Sequence, residues 1–221
     1  ADNDVVTIKY DIDGNQKWLA SFNGGSSDRG RALTTDNSGN VYVAASSRVG
    51  AFDDFLLIKY NANGSQQWVD LYDYAADDDD PVGVAVSDEG YIFVCGETDF
   101  DPSTTAIDDD IVSLRYTPWG KEIWSKAIYK SQAGISEALN AMVTGSGNTL
   151  ILAGETGTSA TQTDFLVIQY SSPTAIEEIN LKQYGEINVY PNPFQSQTIF
   201  KTSNTNQKIN NLLIFDLLGK K

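Results

Sequence analysis

The chain has 221 residues, 41% apolar and 11% aromatic, with 15 Lys+Arg against 30 Asp+Glu and no His. This apolar content excludes a disordered chain, and a net charge of −15 opposes binding to nucleic-acid phosphates. Without His there is no Ser-His-Asp triad, no HExxH zinc motif and no imidazole base for neutral pH.

The chain opens on Ala1 without a basic and apolar export signal, so any signal peptide is expected to be already removed or to lie upstream. No run of 18 apolar residues occurs anywhere, so no transmembrane segment is expected. The first strand-like run, Asp4-Val-Val-Thr-Ile-Lys-Tyr10, recurs as Asp54–Tyr60, Asp110–Tyr116 and Asp164–Tyr170. After three of these come a turn glycine and, four residues on, a tryptophan: Gly14/Trp18, Gly64/Trp68 and Gly120/Trp124. In Asp11-Ile-Asp-Gly-Asn15 the glycine supplies a left-handed turn position. The same segment resembles the start of an EF-hand loop. The twelfth position, which should carry a bidentate acid, is Phe22, so a hairpin turn is the expectation.

Three further pieces complete a unit. Runs near Arg31–Thr35, Val82–Val86 and Leu139–Thr144 read as first strands. Glu137–Val143 is the most helix-like stretch, but the repeat places a strand there. Second strands are Tyr42–Ser47, Phe93–Thr98 and Ile151–Thr156, each preceded by a Gly-containing turn. The Asp-initiated runs are third strands and the Trp runs fourth strands. This makes units of two, four, four and three strands, 13 in all, starting in mid-unit.

Units of this length with four short strands are what propeller blades look like. The unit resembles the bacterial β-propeller repeat family known as SBBP, over residues 4–170. The resemblance implies an all-β fold for residues 1–175: four-stranded antiparallel blades in an open arc, a partial β-propeller of about three blades. It brings no catalytic residue with it.

Polar candidates fall within this part. Asp77, Asp78, Asp79 and Asp80, with Asp73 and Asp108–Asp110, form acidic clusters expected in loops. They are weak calcium candidates, because hard cations take several oxygen ligands. Solvated surface charge is the favoured reading, and no cofactor is expected. Glu97 and Glu155 occupy matching positions, which repetition alone explains. Cys95, the one cysteine, lies in an apolar strand and reads as a buried, inert thiol. The stretches Arg48–Asp53, Asp99–Asp109 and Gly157–Thr163 read as long loops joining second to third strands, and are the candidate contact surface.

After Ala175 the repeat stops and the charge balance changes, from 10 Lys+Arg against 26 Asp+Glu to five against four. Ser171–Ala175 reads as a linker. Strands are expected in Ile187–Tyr190, Thr198–Lys201 and Leu212–Asp216, with a turn at Gly219. Pro191 and Pro193 remove two ladder donors, which marks a strand end or edge. Residues 176–221 resemble the type IX secretion C-terminal sorting domain through Tyr190, Pro191, Asn192, Pro193 and Phe194, followed by Asp216, Gly219 and Lys220. That resemblance implies a partial Ig-like β-sandwich whose partner is the type IX secretion machinery. The expectation is therefore a secreted, extracellular or surface-anchored repeat protein, not an enzyme. It would serve as a binding, adhesion or scaffold module for an extracellular protein or glycan. The alternative is a non-catalytic accessory region of a secreted enzyme whose catalytic domain lies upstream.

Overall fold

The computed structural model describes residues 3–73, 78–99, 109–120, 122–129, 135–159, 162–170, 187–190 and 199–202. The chain divides into two compact units, Ala1–Ile176 and Glu177–Lys221. The described residues are all-β, in small antiparallel sheets, none of them closed.

In the first unit, β1 (Val5–Tyr10) pairs with β2 (Gln16–Phe22). A second sheet has the order β3 (Asp28–Thr35), β4 (Val41–Val49), β5 (Phe52–Tyr60) and β6 (Gln66–Tyr72). A third has β7 (Asp79–Val86), β8 (Ile92–Asp99), β9 (Asp109–Tyr116) and β10 (Glu122–Tyr129). The fourth holds β11 (Glu137–Gly145), β12 (Thr149–Ser159) and β13 (Gln162–Tyr170). The helix-like run is thus the strand β11. In the second unit β14 (Ile187–Tyr190) pairs antiparallel with β15 (Ile199–Thr202). Leu212–Asp216 and Ser171–Ala175 lie outside the described residues.

The sequence of each strand reflects how many neighbours it has. β4 and β5 are near-continuous apolar runs because both their faces are covered; such a run signals a strand enclosed on two sides. β2 and β6 are last in their sheets and half-cover one face only, so their burial alternates. Three apolar clusters hold the sheets together in chain order. Val5 with Trp18 and Phe22 packs on Val43, Ala45, Leu56 and Ile58. Tyr42, Ala44, Phe55 and Leu57 pack on Val84, Val94, Val112 and Leu114. Phe93, Cys95 and Ile111 pack on Leu139, Leu150, Leu152 and Leu166.

A second device registers one sheet on the next. The indole Nε1 of Trp18 donates to the carbonyl of Ala62 at 3.0 Å, and Lys9 Nζ donates to the same oxygen at 3.3 Å. One repeat later, Trp68 Nε1 and Lys59 Nζ both donate to the carbonyl of Pro118, at 3.3 and 2.7 Å. Each indole lies flat on the turn glycine of the following repeat. A Cβ at Gly64 would sit 2.6 Å from Trp18, and one at Gly120 would sit 2.8 Å from Trp68. Both glycines also hold φ near +85° (Gly64 +83°, Gly120 +89°), so conformation and space demand the same residue.

The turns themselves are closed by side chains. Asp11 Oδ1 accepts from the backbone N–H of Asp13 and of Asn15, at 3.0 and 2.8 Å. Asn61 does the same for Asn63 and Ser65. The Asp11 segment is therefore a hairpin turn whose carboxylate is engaged by its own backbone.

Cys95 is fully buried, and burial pushes its thiol up to about 12. A thiol-specific reagent at pH 8 is expected to leave the native protein unmodified and to label one site after unfolding in urea, because the thiolate is the reacting species. Rapid native labelling would contradict this burial.

Candidate functional site

The first strands begin earlier than their apolar runs indicate, and each begins on an acid. Asp28, Asp79 and Glu137 open β3, β7 and β11, and all three are buried. Directly across each lies a hydroxyl on the second strand: Ser47, Thr98 and Thr156. Across from those, on the third strand, lie Asp54, Asp110 and Asp164. Opposed residues of an antiparallel pair project on the same face. Each of the three larger sheets of the first unit therefore carries a row of acid, hydroxyl and acid at one end.

In two of the rows the hydroxyl donates to the first-strand acid. Ser47 Oγ donates to Asp28, whose other oxygen accepts from the backbone N–H of Gly24 at 2.7 Å. Thr156 Oγ1 donates to Glu137 Oε1 at 3.0 Å. The middle row differs. The carboxylate of Asp79 lies with those of Asp54 and Asp73, one oxygen from each falling within 4.8 Å of the others. Asp54 and Asp79 are buried and Asp73 is exposed. This trio stands where the chain passes from β6, the last strand of one sheet, to β7, the first strand of the next.

Positive charge beside the trio is directed at its neighbours. Arg29 Nη1 and Arg48 Nε each donate to the buried Asp53 at 2.8 Å, one to each carboxylate oxygen. Arg31 Nη2 donates to Asp80 at 2.6 Å. Asp78 Oδ1 accepts from the backbone N–H of Asp53 at 2.8 Å. Burial, then the charges of Asp73, Asp53 and Asp78, push the Asp54 carboxyl up to about 6. Such a group, buried among like charges, takes up either a proton or a hard cation readily.

The acidic run is thus divided. Asp79 and Asp80 belong to β7 and not to a loop, because their backbones pair with Thr98 and Glu97. Asp78 fastens the β5 start, Asp80 faces Arg31, and Asp79 alone of the described run joins a carboxylate cluster. Asp77 and Asp108 lie outside the described residues, while Asp109 and Asp110 open β9. Asp54, absent from the sequence candidates, completes the trio; its one visible signal was its recurrence at the head of every third strand.

The matching glutamates are used differently from each other. Glu97 Oε1 accepts from the backbone N–H of Leu139 on the next sheet at 2.7 Å, and burial raises its carboxyl above the usual range. Glu155 is exposed and accepts from Asn140 Nδ2 at 3.4 Å.

Two of the stretches expected to be long loops are largely strand. Val49 pairs with Phe52, which leaves two residues in a tight turn, and Ser159 pairs with Gln162. The strand ladders continue through these polar segments because backbone pairing does not need apolar side chains. Asp99 likewise pairs with Asp109. Tyr190 ends β14, whereas Pro191, Asn192, Pro193, Phe194, Asp216, Gly219 and Lys220 lie outside the described residues. No family model matches the sequence, and no curated protein matches it at a significant level.

Proposed function

We propose that this chain is a non-catalytic binding or scaffold module of a secreted or surface-anchored protein. Its four sheets act as blades of an open propeller arc, and residues 176–221 act as an Ig-like sorting domain read by type IX secretion machinery. The observation that carries the blade reading is the repeated lock of Trp18 on the Ala62–Gly64 turn and Trp68 on the Pro118–Gly120 turn. A lock passed from each unit to the next builds a stack by repetition, which is how blade arrays are made.

The recurring polar groups are engaged in packing. The indoles and lysines bind turn carbonyls, and Glu97 caps the β11 backbone. On this reading the work of the molecule is binding, at the strand ends where acidic residues gather. The sorting reading rests on the sequence resemblance of the tail, with its Pro-interrupted strand end after Tyr190.

The test is export of the full chain behind an ordinary signal peptide, in a type IX-competent bacterium and in a secretion-deficient derivative. The protein is expected in the medium or on the surface of the first and in the periplasm of the second. Equal distribution in both strains would refute the sorting assignment.

A further inference from the structure

We propose that Asp54, Asp73 and Asp79 hold one hard divalent cation, calcium in preference to magnesium, at the passage from β6 to β7, with the hydroxyl of Thr98 as a neutral oxygen beside them. Two independent observations carry this.

The first is the trio's geometry. One oxygen from each carboxylate lies within 4.8 Å of the other two. Calcium takes oxygen ligands at roughly 2.3–2.6 Å, so a small rotation of the carboxylates draws all three onto one ion placed among them. Two of the three side chains are buried and the third is exposed. The site therefore has a rigid floor formed by Asp54 and Asp79 and an entrance at Asp73, where water fills the remaining ligand positions. Six to eight oxygens at longer distances suit calcium; magnesium demands a tighter octahedron and gives up its waters reluctantly.

The second observation is Thr98. Its residue is 1% exposed, and among the described residues its Oγ1 has no hydrogen-bond partner. It stands directly opposite Asp79 in the ladder, hence on the same face, with Cβ atoms about 4.5–5.5 Å apart. In the other two repeats the equivalent hydroxyl donates to the equivalent acid, Ser47 to Asp28 and Thr156 to Glu137. Only in the middle row does the acid gather with two further carboxylates while the hydroxyl beside it keeps its oxygen uncommitted. A buried hydroxyl without a partner calls for an explanation. A cation at this point supplies one, because a hydroxyl oxygen is a ligand of the kind calcium accepts.

The position also gives the ion a mechanical role. Asp54 belongs to the second sheet and Asp79 to the third. A shared cation ties the two sheets at the strand end far along the strands from the Trp68 lock.

The experiment is titration of the chelator-treated full chain with CaCl2 and with MgCl2, by calorimetry and by thermal melting. One calcium site is expected, with a melting temperature that rises in millimolar calcium and falls back on addition of chelator, as for any ligand of the folded state alone. Asp73→Asn changes an exposed side chain and leaves the folding core intact. It is expected to weaken calcium binding at least tenfold while melting no lower than wild type in metal-free buffer, because it removes a like charge. Thr98→Val is expected to weaken binding by a smaller factor. Asp80→Asn, whose partner is Arg31, is expected to bind as wild type. No calcium heat and an unchanged melting temperature in millimolar calcium would overturn the proposal, as would undiminished binding by Asp73→Asn.

Discussion

Gly96→Ala is expected to destabilise the first unit by about 3 kcal/mol or more, toward the upper end of overpacking effects, read as a fall in the urea midpoint at pH 7. A Cβ at this position would lie 2.1 Å from the carbonyl oxygen of Asp80, 2.7 Å from Pro81 Cα and 2.7 Å from Phe55 Cζ. Two of those atoms are backbone, so no rotamer change relieves the clash. Gly96 faces the point where β7 bulges, between Pro81 and Gly83; the bulge brings the partner backbone over the glycine. The fourth sheet repeats this arrangement. β11 bulges between Leu139 and Ala141, and a Cβ at Gly154 would lie 2.1 Å from the Ala138 carbonyl. Gly145→Ala is the control: its nearest neighbour, Thr149 Cβ, is at 3.6 Å, an ordinary contact. Its expected cost is within about 0.5 kcal/mol, as for unstrained surface positions. Equal midpoints for the two variants would disprove the close approach at β7.

Trp68→Ala is expected to cost about 3–5 kcal/mol, the range for removing a large packed aromatic. Its ring stacks on Tyr116 with centroids 6.3 Å apart and meets Tyr42 at 6.2 Å in a tilted arrangement. Tyr42 belongs to the second sheet and Tyr116 to the third. One side chain therefore bridges two sheets, covers Gly120 and donates to Pro118. Trp68→Phe retains most of the ring contact and loses the 3.3 Å hydrogen bond, for an expected cost smaller by about 1–3 kcal/mol. Gly120→Ala perturbs the same contact from the other side. A double-mutant cycle of Trp68→Ala with Gly120→Ala should show coupling, since each change removes or obstructs what the other needs. Strictly additive losses, measured by urea unfolding, would mean that the indole and the turn do not support one another.

Much of this architecture is legible in the sequence because the information is local. Strand runs such as Phe55–Ile58 and Val41–Ala45 announce burial on both faces through continuous apolar residues. The turn glycines mark positions that L side chains resist: Gly14, Gly64 and Gly120 all have positive φ. Recurrence then orders the pieces, and two, four, four and three strands follow in the four sheets. Even the packing use of the tryptophans follows from repetition, since Trp18 and Trp68 recur at a fixed step from a glycine.

Other features were settled only by the tertiary structure. Asp28 and Asp79 precede the apolar runs, and the acidic run around Asp79 reads as a loop, while Glu137 heads a stretch with helix-like spacing. They join strands because their backbones pair with Ser47, Thr98 and Thr156, and pairing depends on a neighbouring strand that no local pattern contains. The polar segments that end in the pairs Val49–Phe52 and Ser159–Gln162 read as long loops for the same reason. The acidic trio is further removed still. Consecutive residues of a strand point to opposite faces, so Asp79 and Asp80, the first two residues of β7, cannot act as one cluster however dense the acids look in the sequence. Asp79 meets Asp54 and Asp73 because one sheet ends and the next begins beside them. That proximity is a property of how the sheets pack, and the spacing of acids along the chain does not encode it.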